Sequence, residues 1–273
     1  MTTVLQISDA HFGTEQPPVV RALLQLAREQ APELVILSGD ITQRARRSQF
    51  SAARKFIDEL NPPALVAIPG NHDIPLFNLA ARALTPYANY SEAFGDNLEP
   101  DFESAHLLVL GINTTRPRRH KNGELSAQQI ARVTARLLRA SASQLRIIVV
   151  HQPVLAIRAS DEANLLKGHC EAVPEWAAAG GDIIMGGHIH LPYVHSMRTT
   201  FPLLKRDMWT VQAGTSLSSR IREGIANSVN LLRCDGAQSP RHCTVERWDY
   251  AAASDKFELH TSQLLSFGTG NAA

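Results

Sequence analysis

The sequence predicts an α/β chain in which a sheet layered with helices packs against a second sheet. Two observations carry this expectation. Short apolar runs rich in β-branched residues alternate with stretches of helical periodicity, and after Thr210 the helical pattern fades into strands. At 273 residues with 44% hydrophobic content, the chain can bury a substantial core. No repeat or linker divides it, so 1–265 is expected to form a single domain, with a frayed Gly-, Asn- and Ala-containing tail over 266–273.

The strand candidates are Val4 to Ser8, Leu34 to Ser38, Leu65 to Pro69, Leu107 to Ile112, Arg146 to Val150, Asp182 to Met185 and Trp209 to Ala213. Most are apolar without alternation, as strands covered on both faces are. Val20, Leu23, Leu24 and Ala27 share one face of a helix that begins near Pro17-Pro18 and stops by Pro32. Phe50, Ala53, Ile57 and Leu60 make a second stripe. Ser126 with Gln129 three residues on fits a capping box ahead of Ile130, Val133, Leu137 and Leu138. A fourth helix is expected over His169 to Ala179. Val229 to Leu232 and Thr244 to Trp248 read as a hairpin flanking Asp235-Gly236, and this hairpin suggests the second sheet.

Charge excludes some roles. A formal net charge of +1 gives no global field toward nucleic acid or anionic lipid, so an anionic substrate must be gripped locally. No run approaches the length of a membrane span, and the start shows no export signal, so a cytoplasmic protein without membrane contact is expected. Cys170, Cys234 and Cys243 lack CxxC spacing and read as reduced thiols, although Cys234 and Cys243 could face each other across the hairpin.

Polar clusters follow five of the apolar runs: Asp9 with His11, then Asp40, then Asn71, His72 and Asp73, then His151, then His188 with His190. Singly, each reads more readily as a turn former or a satisfied polar group. Together they do not. The functional crevice of an open α/β sheet lies at the carboxyl ends of its strands, where the clusters can converge. So many buried imidazoles and carboxylates need compensating cations.

The series D-x-H, G-D (Gly39, Asp40), G-N-H-D (Gly70 to Asp73), H and G-H-x-H (Gly187 to His190) resembles the signature of the calcineurin-like metallophosphoesterases, in order, across Asp9 to His190. The resemblance implies a four-layer α/β/β/α sandwich of two mixed β-sheets, with a dimetal site at the C-terminal ends of the strands. It also implies that Asp9, His11 and His190 hold one divalent metal, that Asn71, His151 and His188 hold the other, and that Asp40 bridges them. A donor set of imidazole and oxygen without thiolate suits Mn, Fe, Zn, Co or Ni. A hydroxide bridging the metals is then the expected nucleophile. His72 is the expected donor to the phosphoryl or leaving oxygen, with Asp73 orienting its ring.

Subfamily features narrow the substrate. The protein phosphatases of this superfamily follow G-D with Asp-Arg-Gly, whereas Ile41-Thr42-Gln43-Arg44 stands here; lipid A pathway pyrophosphohydrolases carry Arg in place of His72. The chain is more similar to bacterial class III cyclic nucleotide phosphodiesterases and related glycerophosphodiesterases, which share a Gly-Glu-Leu-Ser step matched by Gly123 to Ser126. It departs from several in having His151-Gln152-Pro153 in place of consecutive histidines. The expected substrate is a small phosphodiester, cyclic nucleotides included. The basic stretch Arg116 to Lys121, and Arg220 and Arg222, are candidates to contact it. A metal-dependent nuclease, a phosphomonoesterase and a non-catalytic scaffold retaining the fold are the alternatives, and balanced charge without interleaved aromatics disfavours nucleic acid. A homodimer is left open.

Overall fold

The computed structural model describes residues 2–235 and 241–267. It contains two six-stranded mixed sheets packed face to face, with helices on both outer sides. In the first sheet β1 (Thr2–Ile7), β2 (Leu34–Ser38) and β3 (Leu65–Ile68) run parallel, joined by α1 (Pro17–Gln30) and α2 (Arg47–Leu60). Two short helices, α3 (Leu79–Leu84) and α4 (Ala88–Phe94), then lead to the second sheet. Its strands are β4 (Asp101–Glu103), β5 (Leu107–Gly111), β6 (Leu145–Val149), β7 (Ile183–Gly186), β8 (Tyr193–Ser196) and β9 (Trp209–Gln212), with β5, β6, β7 and β9 parallel. Helices α5 (Ala127–Leu138) and α6 (His169–Ala178) cover it. The chain closes with β10 (Ser228–Asp235), β11 (His242–Ala251) and β12 (Lys256–Ser266).

The period-2 geometry of strands explains the four layers. Along β1, Val4 faces the second sheet while Leu5 and Ile7 face α1 and α2; along β5, Val109 faces the first sheet while Leu108 and Leu110 face α5 and α6. Continuous apolar runs are what such doubly covered strands require. The helices end where local chemistry stops them. Ala31 takes a left-handed conformation (φ 45°) just before Pro32 and closes α1. Ser126 Oγ accepts from the Gln129 amide at 3.1 Å while Gln129 Oε1 accepts from the Ser126 amide at 3.0 Å, so the capping box of α5 forms as expected.

The late hairpin does not found the second sheet. β10 pairs antiparallel with β1, so β10, β11 and β12 extend the first sheet, and the second sheet is built from the middle of the chain. β2 pairs with β1 on one side only, and β10 takes the open edge on the other, with Val4 opposite Leu232 and Gln6 opposite Asn230. Within the hairpin Cys234 lies opposite Cys243, the two buried thiols facing each other with Sγ atoms 2.9 Å apart. Residues 236–240 of the expected turn lie outside the described residues. Ser266 is the last residue of β12 and Phe267 is buried, while 268–273 of the expected tail also lie outside them. No described helix is long and apolar enough to cross a membrane.

Candidate metal centre

The parallel strands deliver the five polar clusters to one edge. β1, β2 and β3 of the first sheet end just before Asp9, Asp40 and Asn71, and β6 and β7 of the second end just before His151 and His188. Buried polar side chains tie the sheets together below this edge: Gln6 Nε2 on β1 donates to Ser38 Oγ on β2 and to the Gly186 carbonyl on β7, both at 3.0 Å. Five of the seven expected ligands, Asp9, His11, Asp40, His188 and His190, have positive φ. A left-handed residue turns the chain sharply at the strand end and brings its side chain back over the sheet edge.

Three overlapping groups of ligand atoms result, each within 4.8 Å: Asp9, His11 and His190; His11, Asp40 and His72; Asp40, His151 and His188. Asp40 stands between the outer two. Its Oδ2 lies 3.8 Å from His11 Nε2 and its Oδ1 lies 3.3 Å from His151 Nε2, so its two oxygens face opposite halves of the site. Asp9 is held by the His188 amide (3.1 and 3.0 Å) and by Ser8 Oγ (2.8 Å), and presents Oδ1 to His190 Nε2 at 3.4 Å.

Backbone and hydroxyl partners set the tautomers. His151 Nδ1 donates to the Ser38 carbonyl at 2.9 Å, and His190 Nδ1 donates to the Arg220 carbonyl at 2.6 Å with Thr215 Oγ1 2.7 Å away. Each ring thus keeps its Nε2 for the interior of the site. His190 Nε2 then faces His11 Nε2 at 3.2 Å, and His151 Nε2 faces the Asp40 carboxylate at 3.3 Å, pairs of acceptors that each need a proton or a cation between them.

A test of whether divalent cations fit comes from the buried polar atoms that lack partners. Asn71 Oδ1, His11 Nδ1, His151 Nε2 and both ring nitrogens of His188 are among them. Buried donors and acceptors are rarely left unmatched, so this concentration at one spot marks a missing electrophile. Burial pushes Asp9 up and holds His11 and His188 well below the usual imidazole value, which keeps those rings neutral and able to coordinate. Burial alone would raise Asp40, but the His151 and His72 charges outweigh it and hold the carboxyl well below its ordinary range. Burial would lower His151, but the charges of Asp40 and Asp9 push it up to about 9. The residues present therefore fit divalent cations.

Around this centre the expectations divide. His72 lines the cavity, its Nδ1 donating to the Gln43 carbonyl at 2.9 Å and its Nε2 lying 3.2 Å from Arg220 Nη1. Asp73 does not orient that ring. Its Oδ2 accepts from the Gly70 and Ile41 amides (2.8 and 3.0 Å), and its Oδ1 accepts from the Thr42 amide and hydroxyl (both 2.8 Å). It clamps the turns that carry Asp40 and Asn71, because the short turn points its carboxylate inward at their N–H groups.

Arg220 reaches the site and also bonds Gln43 Oε1 at 3.0 Å. Arg222 lines an adjoining hollow, but its Nη1 is engaged by Asp161 and the Ile189 carbonyl. In the stretch Arg116 to Lys121, Arg118 and Arg119 pair with Glu124 and Arg116 bonds Gln129, while His120 and Lys121 face the cavity. Sequence reasoning missed Gln43, Thr215 and Ser8. Ser8 and Thr215 do sit just past strand ends, the signal that found the ligands; Gln43 had none.

The chain is similar to known proteins. A model of the family described as calcineurin-like phosphoesterase matches residues 2–192. A Synechococcus sp. protein named a probable cyclic nucleotide phosphodiesterase is 25% identical over 213 residues, which is 72% of this chain and 77% of that protein. A dimetal phosphatase from Danio rerio superposes with a TM-score of 0.65 at 14% identity, over 98% of this chain and 99% of that one. Purple acid phosphatase PPD1 of yellow lupin gives a TM-score of 0.68 at 12% identity over 97% of this chain, which spans 53% of the lupin chain. With residues 2–192 matched by that family's model, the chain belongs to the calcineurin-like phosphoesterase family.

Proposed function

We propose that the chain is a phosphodiesterase that hydrolyses small phosphodiesters, with Asp9, His11 and His190 holding one divalent cation, Asn71, His151 and His188 the other, and Asp40 shared. Manganese, iron, zinc, cobalt and nickel all suit these donors. The observation that carries the reading is the split of the Asp40 oxygens between two coordinating groups beneath a cationic cavity. The Synechococcus relative's name supports a diester substrate and puts cyclic nucleotides on the list to be tested. Two bound cations supply Lewis-acid charge to the phosphoryl oxygens and acidify water.

The chain's own residues do the rest. The Gln43 carbonyl fixes the His72 ring through Nδ1, so Nε2 is aimed at the cavity, within reach of a departing oxygen as a proton donor. Arg220 offers Nη1 beside it, and an anionic oxygen entering there takes that N–H in place of the His72 lone pair. Lys121 adds positive charge from the facing loop. His72→Ala should keep its metal content and lose turnover of a nitrophenyl diester by about 10²–10⁴-fold. Wild-type turnover at equal metal content would remove His72 from the chemistry.

A further inference from the structure

Helix α3 is turned inside out. Its sequence, Leu-Ala-Ala-Arg-Ala-Leu, holds one charged residue, and that residue is the buried one. The Arg82 guanidinium donates to the carbonyls of Pro117 and Arg119, both at 2.6 Å, and of Pro75 at 2.9 Å. These bonds staple the helix to the stretch 116–121 and leave its opposite face to solvent. Leu79 is 72% exposed, Leu84 is 80% exposed, and Phe77, two residues before the helix, is 78% exposed. Ala80 and Ala83 are exposed between them. A surface helix ordinarily does the reverse, burying leucine and showing arginine to water. Large apolar side chains gathered outside a fold mark a surface that another molecule covers.

The patch has ends of opposite sign. At its start the Arg44 guanidinium lies over the Phe77 ring, 5.2 Å from the centroid. Just past Leu84 the chain forms a hollow of about 560 Å³, with Pro86, Tyr87 and Ala88 as its apolar wall and Glu92 and Asp96 as its acidic one. An anionic surface such as a layer of lipid headgroups would be drawn to Arg44 and repelled by Asp96. A copy of the same patch turned end for end meets no such conflict, because a two-fold axis exchanges the ends and sets basic against acidic on both sides.

We propose that this face pairs with a second copy of the chain, the two α3 helices lying antiparallel across a two-fold axis between Ala81 and Arg82. The register follows from the symmetry. Leu79 packs on the partner's Leu84, and Ala80 meets the partner's Ala83, both small enough for the helices to approach closely. Phe77 enters the hollow beside the partner's Pro86, and Arg44 comes to the partner's Asp96. Leu76, one residue before Phe77, lines the cavity over the metal centre, so the partner stands at the rim of the cleft. The pairing does not depend on which phosphoester is cleaved. With one short helix and one aromatic ring from each chain at its centre, the interface belongs to the small, reversible class, with a dissociation constant in the micromolar range.

Sedimentation velocity of the full chain from about 1 to about 200 µM tests the pairing, and the particle should grow from one chain to two across that range. Leu84→Glu and Phe77→Ser, each checked for an unchanged melting temperature, should weaken association by about tenfold or more. Arg44→Asp and Asp96→Arg should each weaken it as well. The two together restore opposite signs across the axis and should return the dissociation constant to within about threefold of wild type. One chain per particle throughout the range, association indifferent to these substitutions, or a double variant no better than the singles would overturn the pairing. A monomer that binds phosphatidylglycerol vesicles, and loses that binding with Leu84→Glu, would give the patch to a lipid surface and overturn it equally.

Discussion

Asp73→Asn separates two roles for a carboxylate next to the catalytic turn. Burial and the Asp40 charge push Asp73 up to about 6, so at neutral pH it is ionised, and it accepts four hydrogen bonds. An amide keeps one oxygen and must turn its NH2 toward one pair of donors. Facing Gly70 and Ile41 it strands two peptide N–H groups. Facing Thr42 it strands one, because the Thr42 hydroxyl can rotate to accept. The second orientation is the cheaper. One buried N–H without a partner costs about 1–3 kcal/mol, and loss of charge weakens the two bonds that remain. The total is about 2–4 kcal/mol, a fall in melting temperature on the order of 10 °C for a domain of this size.

Chemical denaturation at pH 7.5, with and without manganese, measures this directly. The destabilisation should persist in the metal-loaded protein, since the bonds hold backbone turns and not the metal-binding atoms. A ring-orienting role makes the opposite prediction, an unchanged unfolding free energy with a large loss of kcat. An unfolding free energy within about 0.5 kcal/mol of wild type would refute the clamp.

Gly187→Ala places a Cβ 2.0 Å from Ser8 Oγ and 2.3 Å from Asp9 Oδ2, so it should displace Asp9, lower metal stoichiometry measured by elemental analysis, and destabilise by about 1–3 kcal/mol. Two metals retained at wild-type affinity would show that Asp9 is not held there. His151, raised to about 9, is protonated at pH 7 and must lose that proton to coordinate. Apparent metal affinity should therefore rise about tenfold per pH unit from 7 toward 9 and level off above it. Titration calorimetry in buffers of different ionisation enthalpy should find close to one proton released at pH 7, and none released would refute the pairing with Asp40.

What the sequence disclosed follows from which signals are local. The seven expected ligands were legible because each lies within a few residues of the end of a strand whose run is apolar on both faces, such as Leu34–Ser38 before Asp40. β12 was not legible. As an edge strand it has most positions exposed on both faces, so Lys256–Ser266 shows neither an apolar run nor alternation. The hairpin's destination was equally hidden, since nothing within Val229 to Leu232 records that its partner is β1, more than 220 residues back in the chain. The role of Asp73 was hidden for the same reason. Its partners Ile41 and Thr42 are distant in sequence, and a carboxylate beside a histidine looks the same whether or not it touches the ring.

The left-handed ligands join these observations. Positive φ costs a non-glycine residue about 1–2 kcal/mol, and five of the expected ligands carry it. Asp, Asn and His tolerate this region better than most residues. The side chains able to coordinate a hard or borderline cation are thus also those able to end a strand in a sharp left-handed turn. Strand-end turns built from them need little further change to become a metal site, provided the conformations are held from outside. Here Ser8, Ser38, Thr215 and Asp73 do that holding, each bonded to a ligand's side chain or to the turn that bears it. Removing such a support should loosen the geometry of the site before it unfolds the sheets beneath, because the sheets rest on apolar contacts that these residues do not make.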